Sequence, residues 1–273
     1  MNIWELIKTI NVIKTIWFNF RVFPLRDAIK FPVWLYGSVK LIHIHKGCIK
    51  FNCPVRRGLL RIGCIRSYLI PYYNSEMNYL NIRGIIEIGG ITWIGCGAKI
   101  AIGEGALLKF GKGCFINNCS KVFVENKIEL EDYVRTSWEI QLLDSSFHYF
   151  VSNNGEIRSK KSLIHIGKGS WIGNRVTIQK DTQLPPHSIV ASNSIVNKDF
   201  SMNDDGGIYA GTPAKLLSTN NRRIVGNDKE AIIDKMFTDG VTVIKVDEFE
   251  KKELELKANH TILNHNWGYI IKL

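Results

Sequence analysis

Imidazole is the side chain best suited to take a proton near neutral pH, its unperturbed pKa being about 6.5. The chain has seven histidines: His43, His45, His148, His165, His187, His260 and His265. His148 is set apart by its surroundings. It ends the run Leu142-Leu-Asp-Ser-Ser-Phe-His148, and Tyr149-Phe150 lead on to a polar stretch at 152–161, Ser-Asn-Asn-Gly-Glu-Ile-Arg-Ser-Lys-Lys. Such a stretch is expected to leave the body of the protein as a loop, and loops held by a rigid scaffold commonly carry catalytic groups. A base there would take the proton of an attacking nucleophile. Asp144, four residues earlier, is a candidate to hold the imidazole in the useful tautomer through its ring N–H, a task a backbone carbonyl performs as well. His43-x-His45 falls on one face of an expected strand, His165 within a regular repeat, and His187 after Pro185-Pro186 in an expected corner; His260 and His265 lie beyond the repeat. None of these six has a comparable setting.

The six cysteines, Cys48, Cys53, Cys64, Cys96, Cys114 and Cys119, form no Cys-x-x-Cys and have no His-x3-5-His pair beside them. No metal site is expected, and none of them sits where a covalent nucleophile would. A chain of 273 residues buries enough surface to dispense with disulfides, so free thiols in a reducing compartment are expected. The net charge of +11 favours polyanions: nucleic acid, anionic lipid or the phosphates of a nucleotide cofactor. The bases are dispersed and no helix-turn-helix, RRM or zinc-finger pattern accompanies them, so nucleic acid is not an expected partner. At the N-terminus Ile3, Leu6, Ile7, Ile10, Ile13 and Trp17 recur at helical spacing, widened by Trp4, Ile16 and Phe18. Charges at Glu5, Lys8, Lys14 and Arg21 interrupt any span of ~20 apolar residues, and no signal-peptide pattern is present. A cytoplasmic protein is expected. The helix packs on the body in the first reading; in the second, residues 1–36 make a peripheral membrane contact.

What must position these side chains is a repeat. From Ile166 every sixth residue is aliphatic: Ile166, Ile172, Ile178, Leu184, Val190 and Val196. A second run reads Ile82, Ile88, Ile94 and Ile100, with shorter pieces between that slip phase, where bulges or longer corners are expected. Glycine follows the repeat residue at 63, 89, 95, 103, 111, 167 and 173. Six residues suit one short strand and one tight corner, with the aliphatic residue inward and the glycine taking a positive φ. Three such units close a triangular coil whose successive turns pair as parallel strands.

The stretch Ile166-Gly-Lys-Gly-Ser-Trp-Ile-Gly-Asn-Arg-Val-Thr-Ile178, the hexads at 188–196 and the block Tyr209-Ala-Gly-Thr-Pro-Ala-Lys215 resemble the hexapeptide-repeat acyltransferases. Within them the likeness is to the maltose, galactoside and capsule or lipopolysaccharide O-acetyltransferase branch, over about residues 82 to 217. The resemblance implies a mainly β fold, a left-handed parallel β-helix, with acetyl-CoA as co-substrate in a groove between two subunits of a homotrimer. It implies His148 as general base for transfer of an acetyl group to a saccharide hydroxyl. Carried over by position, Asn174, Ser192, Asn197, Lys198 and Lys215 line the cofactor, and Asn118, with Asn117 beside it, contacts the acceptor. Where sugar-binding relatives carry a pair of aspartates, this chain has Glu125-Asn126.

The expected organisation is an apolar N-terminal segment, helical or irregular, over 1–40, the β-helix over 41–217 with a loop at 144–163, and a small α/β C-terminal extension over 218–273 that caps the solenoid. The rival readings are an N-acyltransferase of an amino sugar nucleotide, a non-catalytic β-helix binding protein, and a metal-dependent hydratase of the γ-carbonic-anhydrase type, whose His-x4-His pair the chain lacks.

Overall fold

The computed structural model describes residues 10–64, 76–224, 227–237 and 241–258. Its contacts divide into two compact units, Met1–Asn221 and Arg222–Leu273. In the first, strands of two to five residues run from β1 (Val33–Leu35) to β22 (Ala214–Ser218). They fall in rotation into three sheets of nine, seven and six strands, strands up to β20 pairing three places apart along the chain and β19 pairing with β21 at the end of the nine-stranded sheet. Every pairing is parallel except the last, β21 (Ile208–Gly211) with β22. These sheets, here walls 1, 2 and 3, are the sides of the expected left-handed parallel β-helix. Three edges join them: edge A from wall 1 to wall 2, edge B from wall 2 to wall 3, and edge C from wall 3 to wall 1.

The period explains the coil. Trp171 lies opposite Ile189, eighteen residues on, which is three hexads. The six aliphatics from Ile166 to Val196 are all buried, as are Ile82, Ile88, Ile94 and Ile100. Each inward side chain sits on its counterpart ~4.8 Å away in the next coil, and full burial of each stabilises by ~1.5–3 kcal/mol. The phase slips have a different cause from the one expected. In β8 (Lys99–Ile102), β9 (Leu107–Phe110), β11 (Lys121–Val124) and β12 (Lys127–Leu130) four residues present two inward side chains each, such as Ile100 with Ile102. These strands pair without a break in register. The sides are longer; they are not bulged.

The glycines also act differently. Of the seven that follow an inward residue, only Gly63 has a positive φ. A Cβ on Gly167 would lie 2.4 Å from the Pro186 nitrogen, and one on Gly173 would lie 2.7 Å from the Ser192 nitrogen. These positions are glycine because the next coil passes too close for a side chain. The left-handed residue of the corner comes two places later, as Gly105, Gly169, Arg175, His187 or Asn193.

The coil begins earlier than expected, at Val33, and its open end is sealed by helix α1 (Val12–Val22). β1 is an edge strand whose backbone groups need partners. Asn19 supplies them, its amide donating to the Val33 carbonyl at 2.7 Å and accepting from the Val33 N–H at 3.1 Å. The Thr15 hydroxyl accepts from the Leu35 N–H at 3.1 Å. Helix α1 therefore turns Thr15, Phe18, Asn19 and Val22 inward. The expected stripe is divided: Phe18 turns inward and Ile10 is half-buried, whereas Ile13, Ile16 and Trp17 point outward, and Ile3, Trp4, Leu6 and Ile7 lie outside the described residues. A one-turn helix, α2 (Leu25–Ala28), follows Pro24.

The outer faces differ in chemistry. Wall 1 carries a ladder of Trp34, Arg61, Trp93, Phe115, Arg135 and Trp171, in which the Arg61 guanidinium lies 5.2 Å from the Trp34 ring centre. Wall 3 alternates charge, with Lys109 2.6 Å and Lys127 2.7 Å from the Glu129 carboxylate. All six cysteines are free thiols, four of them buried. The second unit contains α3 (Asn227–Met236) and α4 (Val246–Ala258), which pack on each other. The strand expected near the C-terminus lies outside the described residues.

Two alanine substitutions separate the two uses of glycine. Gly105→Ala meets open space and only the strain of a φ of +72°, so a loss of about 1 kcal/mol is expected. Gly167→Ala must displace the next coil's backbone and is expected to cost about 2–3 kcal/mol or more. Denaturant unfolding of both variants measures the difference, and equal losses would contradict this assignment.

Candidate functional site

Between β14 (Gln141–Leu143) and β15 (Leu163–Ile166) the chain leaves edge B for residues 144–162. The excursion is a two-legged ribbon, with antiparallel bridges Ser145 to Lys161 and Val151 to Ile157. Its base is tied by the Ser162 N–H donating to the Asp144 carbonyl at 3.0 Å and the Ser146 N–H to the Lys160 carbonyl at 2.8 Å. At the turn into the loop Phe147 takes a φ of 60°, held by its N–H donating to the Ser145 hydroxyl at 2.9 Å. The Ser146 hydroxyl donates to the His148 carbonyl at 3.0 Å. His148 is thus exposed on a loop whose backbone is fixed on both sides. Around it Tyr149, Phe150, Val151 and Ile157 are exposed too, Phe150 to 68%. These apolar side chains lie on the two legs of the ribbon, and the turn that joins the legs, 152–156, is polar.

Asp144 does not hold the imidazole. It is fully buried, its Oδ1 accepting from the Glu125 N–H at 2.7 Å and its Oδ2 from the Asn126 N–H at 2.8 Å. The carboxylate clamps the two-residue corner of the coil below, and Lys161 adds a bond to the Glu125 carbonyl at 3.0 Å. Burial pushes the Asp144 carboxyl above its ordinary value, and the amides of Glu125 and Asn126 pull it back only in part. Among the described contacts, none joins it to His148.

The other expected residues fall into separate groups. Asn117 and Asn118 are buried on edge A, where the Asn118 Oδ1 accepts from the Cys96 N–H at 3.0 Å and the Asn117 Oδ1 from the Asn118 N–H at 2.8 Å. The Asn118 oxygen ties one turn of backbone to the turn before it, and the Asn117 oxygen braces its own corner. Asn174 and Ser192 lie further up the same edge, joined by the Ser192 hydroxyl donating to the Asn174 Oδ1 at 2.5 Å. Asn197 and Lys198 are exposed after the last strand of wall 2, on edge B with the loop, and Lys215 is exposed on β22. The structure therefore brings Asn117 to Asn118 and Asn174 to Ser192, but it places these pairs and His148 on opposite sides of wall 2.

Sequence reasoning missed a trough on edge B. Asn81, Arg83, Glu104, Phe123, Glu125 and Phe147 line a cavity of about 360 Å3, with the Phe123 and Phe147 rings edge to face at 6.5 Å. Arg83 and Glu104 also line a second hollow with Arg21, His43 and His45. His43 is in a corner rather than a strand, its Nδ1 2.8 Å from the Asn81 Oδ1. These residues come from successive turns, at 43–45, 81–83, 104, 123–125 and 147, and share no motif, and only the coil length would have aligned them. His165 is half-buried, its Nε2 3.1 Å from Glu131, and His187 is half-buried at a left-handed corner. His260 and His265 lie outside the described residues. Among the described residues no cluster of three or more His, Cys, Asp or Glu forms a metal site.

No family model matches the chain, and no curated protein matches it. Solved structures similar to it include a hexapeptide-repeat-containing acetyltransferase from Vibrio cholerae O1 biovar eltor, complexed with acetyl coenzyme A. That match is 26% identical over 41% of this chain, with a TM-score of 0.36, and spans 60% of the other chain. The polySia-specific acetyltransferase NeuO is 19% identical over 78% of this chain and 84% of its own, with a TM-score of 0.42. A mutant of AntD, an N-acyltransferase from Bacillus cereus in complex with dTDP and coenzyme A, is 14% identical over 75% and 86%, with a TM-score of 0.32.

The Asp144 clamp makes a pH prediction. A carboxyl raised in the folded state binds its proton more tightly there than in the unfolded chain. Its contribution to stability is therefore full below the ordinary carboxylate value of about 4 and is lost as the pH rises through the raised one. Asp144→Asn leaves one backbone N–H facing an amide N–H, so a loss of about 2–3 kcal/mol is expected. The stability gap between parent and variant should narrow as the pH rises from the acid side, read by denaturant melts across that range. A gap that widened would contradict the sign.

Proposed function

We propose that this protein is an acyltransferase that moves an acetyl group from acetyl-CoA to a hydroxyl of a saccharide by direct transfer, with His148 as the general base. The observation that carries the reading is the imidazole on a loop tied at its base, next in sequence to Phe147, which lines a trough, on a scaffold otherwise built of short strands. A base held this way can meet an acceptor hydroxyl repeatedly in one geometry. The acceptor oxygen forms a bond to the thioester carbonyl carbon as the His148 ring takes its proton. The C–S bond then breaks, and the departing thiolate receives that proton as the free thiol.

The co-substrate's shape fits what edge A and edge B offer. The coil turns are stacked closely at Gly173 and Ser192, leaving a smooth edge along which a thin pantetheine arm can lie. Lys198 and Lys215 are exposed cations suited to its phosphates, and the net charge of +11 favours its approach. The saccharide would lie in the edge B trough, where the Phe147 and Phe123 rings and the Arg83 guanidinium can meet a sugar face and its polar groups.

In one chain these two edges are separated by wall 2, whose nearby strands β14 and Thr177–Gln179 are three residues long, roughly 10 Å. We place wall 2 toward the axis of a homotrimer, which sets edge A of one copy against edge B of the next. Two features support this packing. The outer positions of wall 2 at these coils, Gln141, Leu143, Thr177, Gln179 and Ile195, carry no charge, unlike wall 3. The legs of the loop beside His148 carry the uncovered apolar side chains of Tyr149, Phe150, Val151 and Ile157.

Free-thiol release from acetyl-CoA, followed with a panel of neutral, acidic and amino sugars, tests the reading. Hydroxyl acceptors should release thiol, whereas release with amino sugars alone would favour the N-acyl alternative. His148→Ala should lower the rate 10²–10⁴-fold while leaving coenzyme A binding, measured by calorimetry, within about two-fold of the parent. A fully active variant would reject His148 as base. Ile195→Glu should convert a particle of three chains to single chains in sedimentation; an unchanged mass would reject the wall 2 interface.

A further inference from the structure

Helix α1 has two apolar faces, and the coil uses one. Its inner face is spent on sealing the core and the β1 edge. The outer face presents Val12, Ile13, Ile16, Trp17 and Phe20, continued by Leu25 and Ile29 after the turn at Pro24. Ile13 is 82% exposed and Trp17 49%. The spacing i, i+1, i+4, i+5, i+8 makes this one unbroken stripe along the helix. Helix α1 is anchored to all parts of the first coil, with Lys14 donating to the Val39 carbonyl at 2.5 Å, Arg21 to the Ile44 carbonyl at 3.2 Å and the Gly47 N–H to the Val22 carbonyl at 2.9 Å. The stripe is thus the flat outer surface of the N-terminal end of the prism.

We propose that this end docks on an anionic lipid bilayer, with the α1 stripe, Leu25 and Ile29 entering the headgroup region. The chemistry around the stripe decides for lipid. Arg26 and Lys30 lie beside it against one acid, Asp27, and Lys14 and Arg21, whose side chains reach back to the coil, add to the positive charge of this end within a chain of net charge +11. Aromatic and aliphatic side chains on one face with bases beside them are what a helix lying in a bilayer interface requires. A second copy set face to face would bring like bases together. No described helix is long and apolar enough to cross the membrane, so the contact is peripheral.

Docking would stand the prism upright. The loop bearing His148 leaves the seven-strand wall four strands above β2 (Val39–Ile42), roughly 20 Å at ~4.8 Å per strand. The hollow lined by Arg21, His43 and His45 lies at the first turn of the coil, beside α1, and shares Arg83 and Glu104 with the trough that reaches Phe147. Resting on the transferase reading, an acceptor displayed on the bilayer would reach the loop along this trough.

The test is flotation of the full chain with vesicles, without acetyl-CoA or acceptor, so it stands or falls apart from the transferase reading. The parent should float with phosphatidylcholine–phosphatidylglycerol vesicles and less with phosphatidylcholine alone, and added salt should weaken it. Ile13→Glu with Trp17→Glu, both at exposed positions, should cut the floating fraction about ten-fold or more with unchanged melting and unchanged mass in solution. Arg26→Glu with Lys30→Glu should erase the preference for the anionic vesicles. A parent that stays in the soluble fraction, or a double glutamate variant that floats as the parent does, would overturn the proposal. So would a glutamate variant that changes the number of chains in the particle, since a second copy would then occupy the face.

Discussion

Parallel pairing of each strand from β1 to β20 with one a full turn away is the constraint on which the rest depends. Strands in such a coil have no hairpin partner, so each backbone hydrogen bond to the next turn requires the whole intervening turn to close at the right length. Closure is enforced from inside, where aliphatic residues such as Ile166, Leu184 and Val190 are fully buried and stacked. It is enforced at the corners by glycines that let backbone pass backbone, as Gly167 does beneath Pro186. A turn that must also carry a loop keeps its register only if the loop's two ends are brought back together. Asp144 and the ribbon bridges at 145–161 do this between β14 and β15.

Function follows from what such a coil leaves free. With inward positions committed to packing, chemistry is confined to outward side chains, edges and excursions. The three walls have diverged accordingly: aromatic and arginine residues on wall 1, paired charges on wall 3, and an uncharged patch on wall 2 beside the loop. The proposed site draws on two edges and an excursion, and the proposed membrane contact draws on the end. No inward residue has a role in either.

The period was legible in the sequence because burial in a six-residue unit leaves an aliphatic at each inward position, and the loop was legible because it breaks that period. The phase slips were visible but not their cause, since a side lengthened by two residues and a bulge look alike in one dimension. The glycines were misassigned for a similar reason: close approach by another turn is a three-dimensional fact, and Gly173 and Gly169 look equivalent in sequence. Asp144 illustrates the same limit at the site. Its position near His148 suggested an imidazole partner, whereas its carboxylate serves the backbone of a turn eighteen to nineteen residues earlier. The rotation of α1 that leaves Ile13 and Trp17 outside came from a strand edge needing Asn19 and Thr15, a demand that hydrophobic spacing does not register.

The central claim is that a base from one copy meets an acyl carrier held on the edge of its neighbour. Mixed trimers test it most directly. His148→Ala removes the base, and Ser192→Trp blocks edge A; each variant alone should be inactive. Co-refolded in equal amounts, they should recover about a quarter of the parent rate, because random mixing sets an intact loop against an intact edge at that frequency. A mixture as inactive as its components would mean that both groups must belong to one chain, and the account of the site would fail.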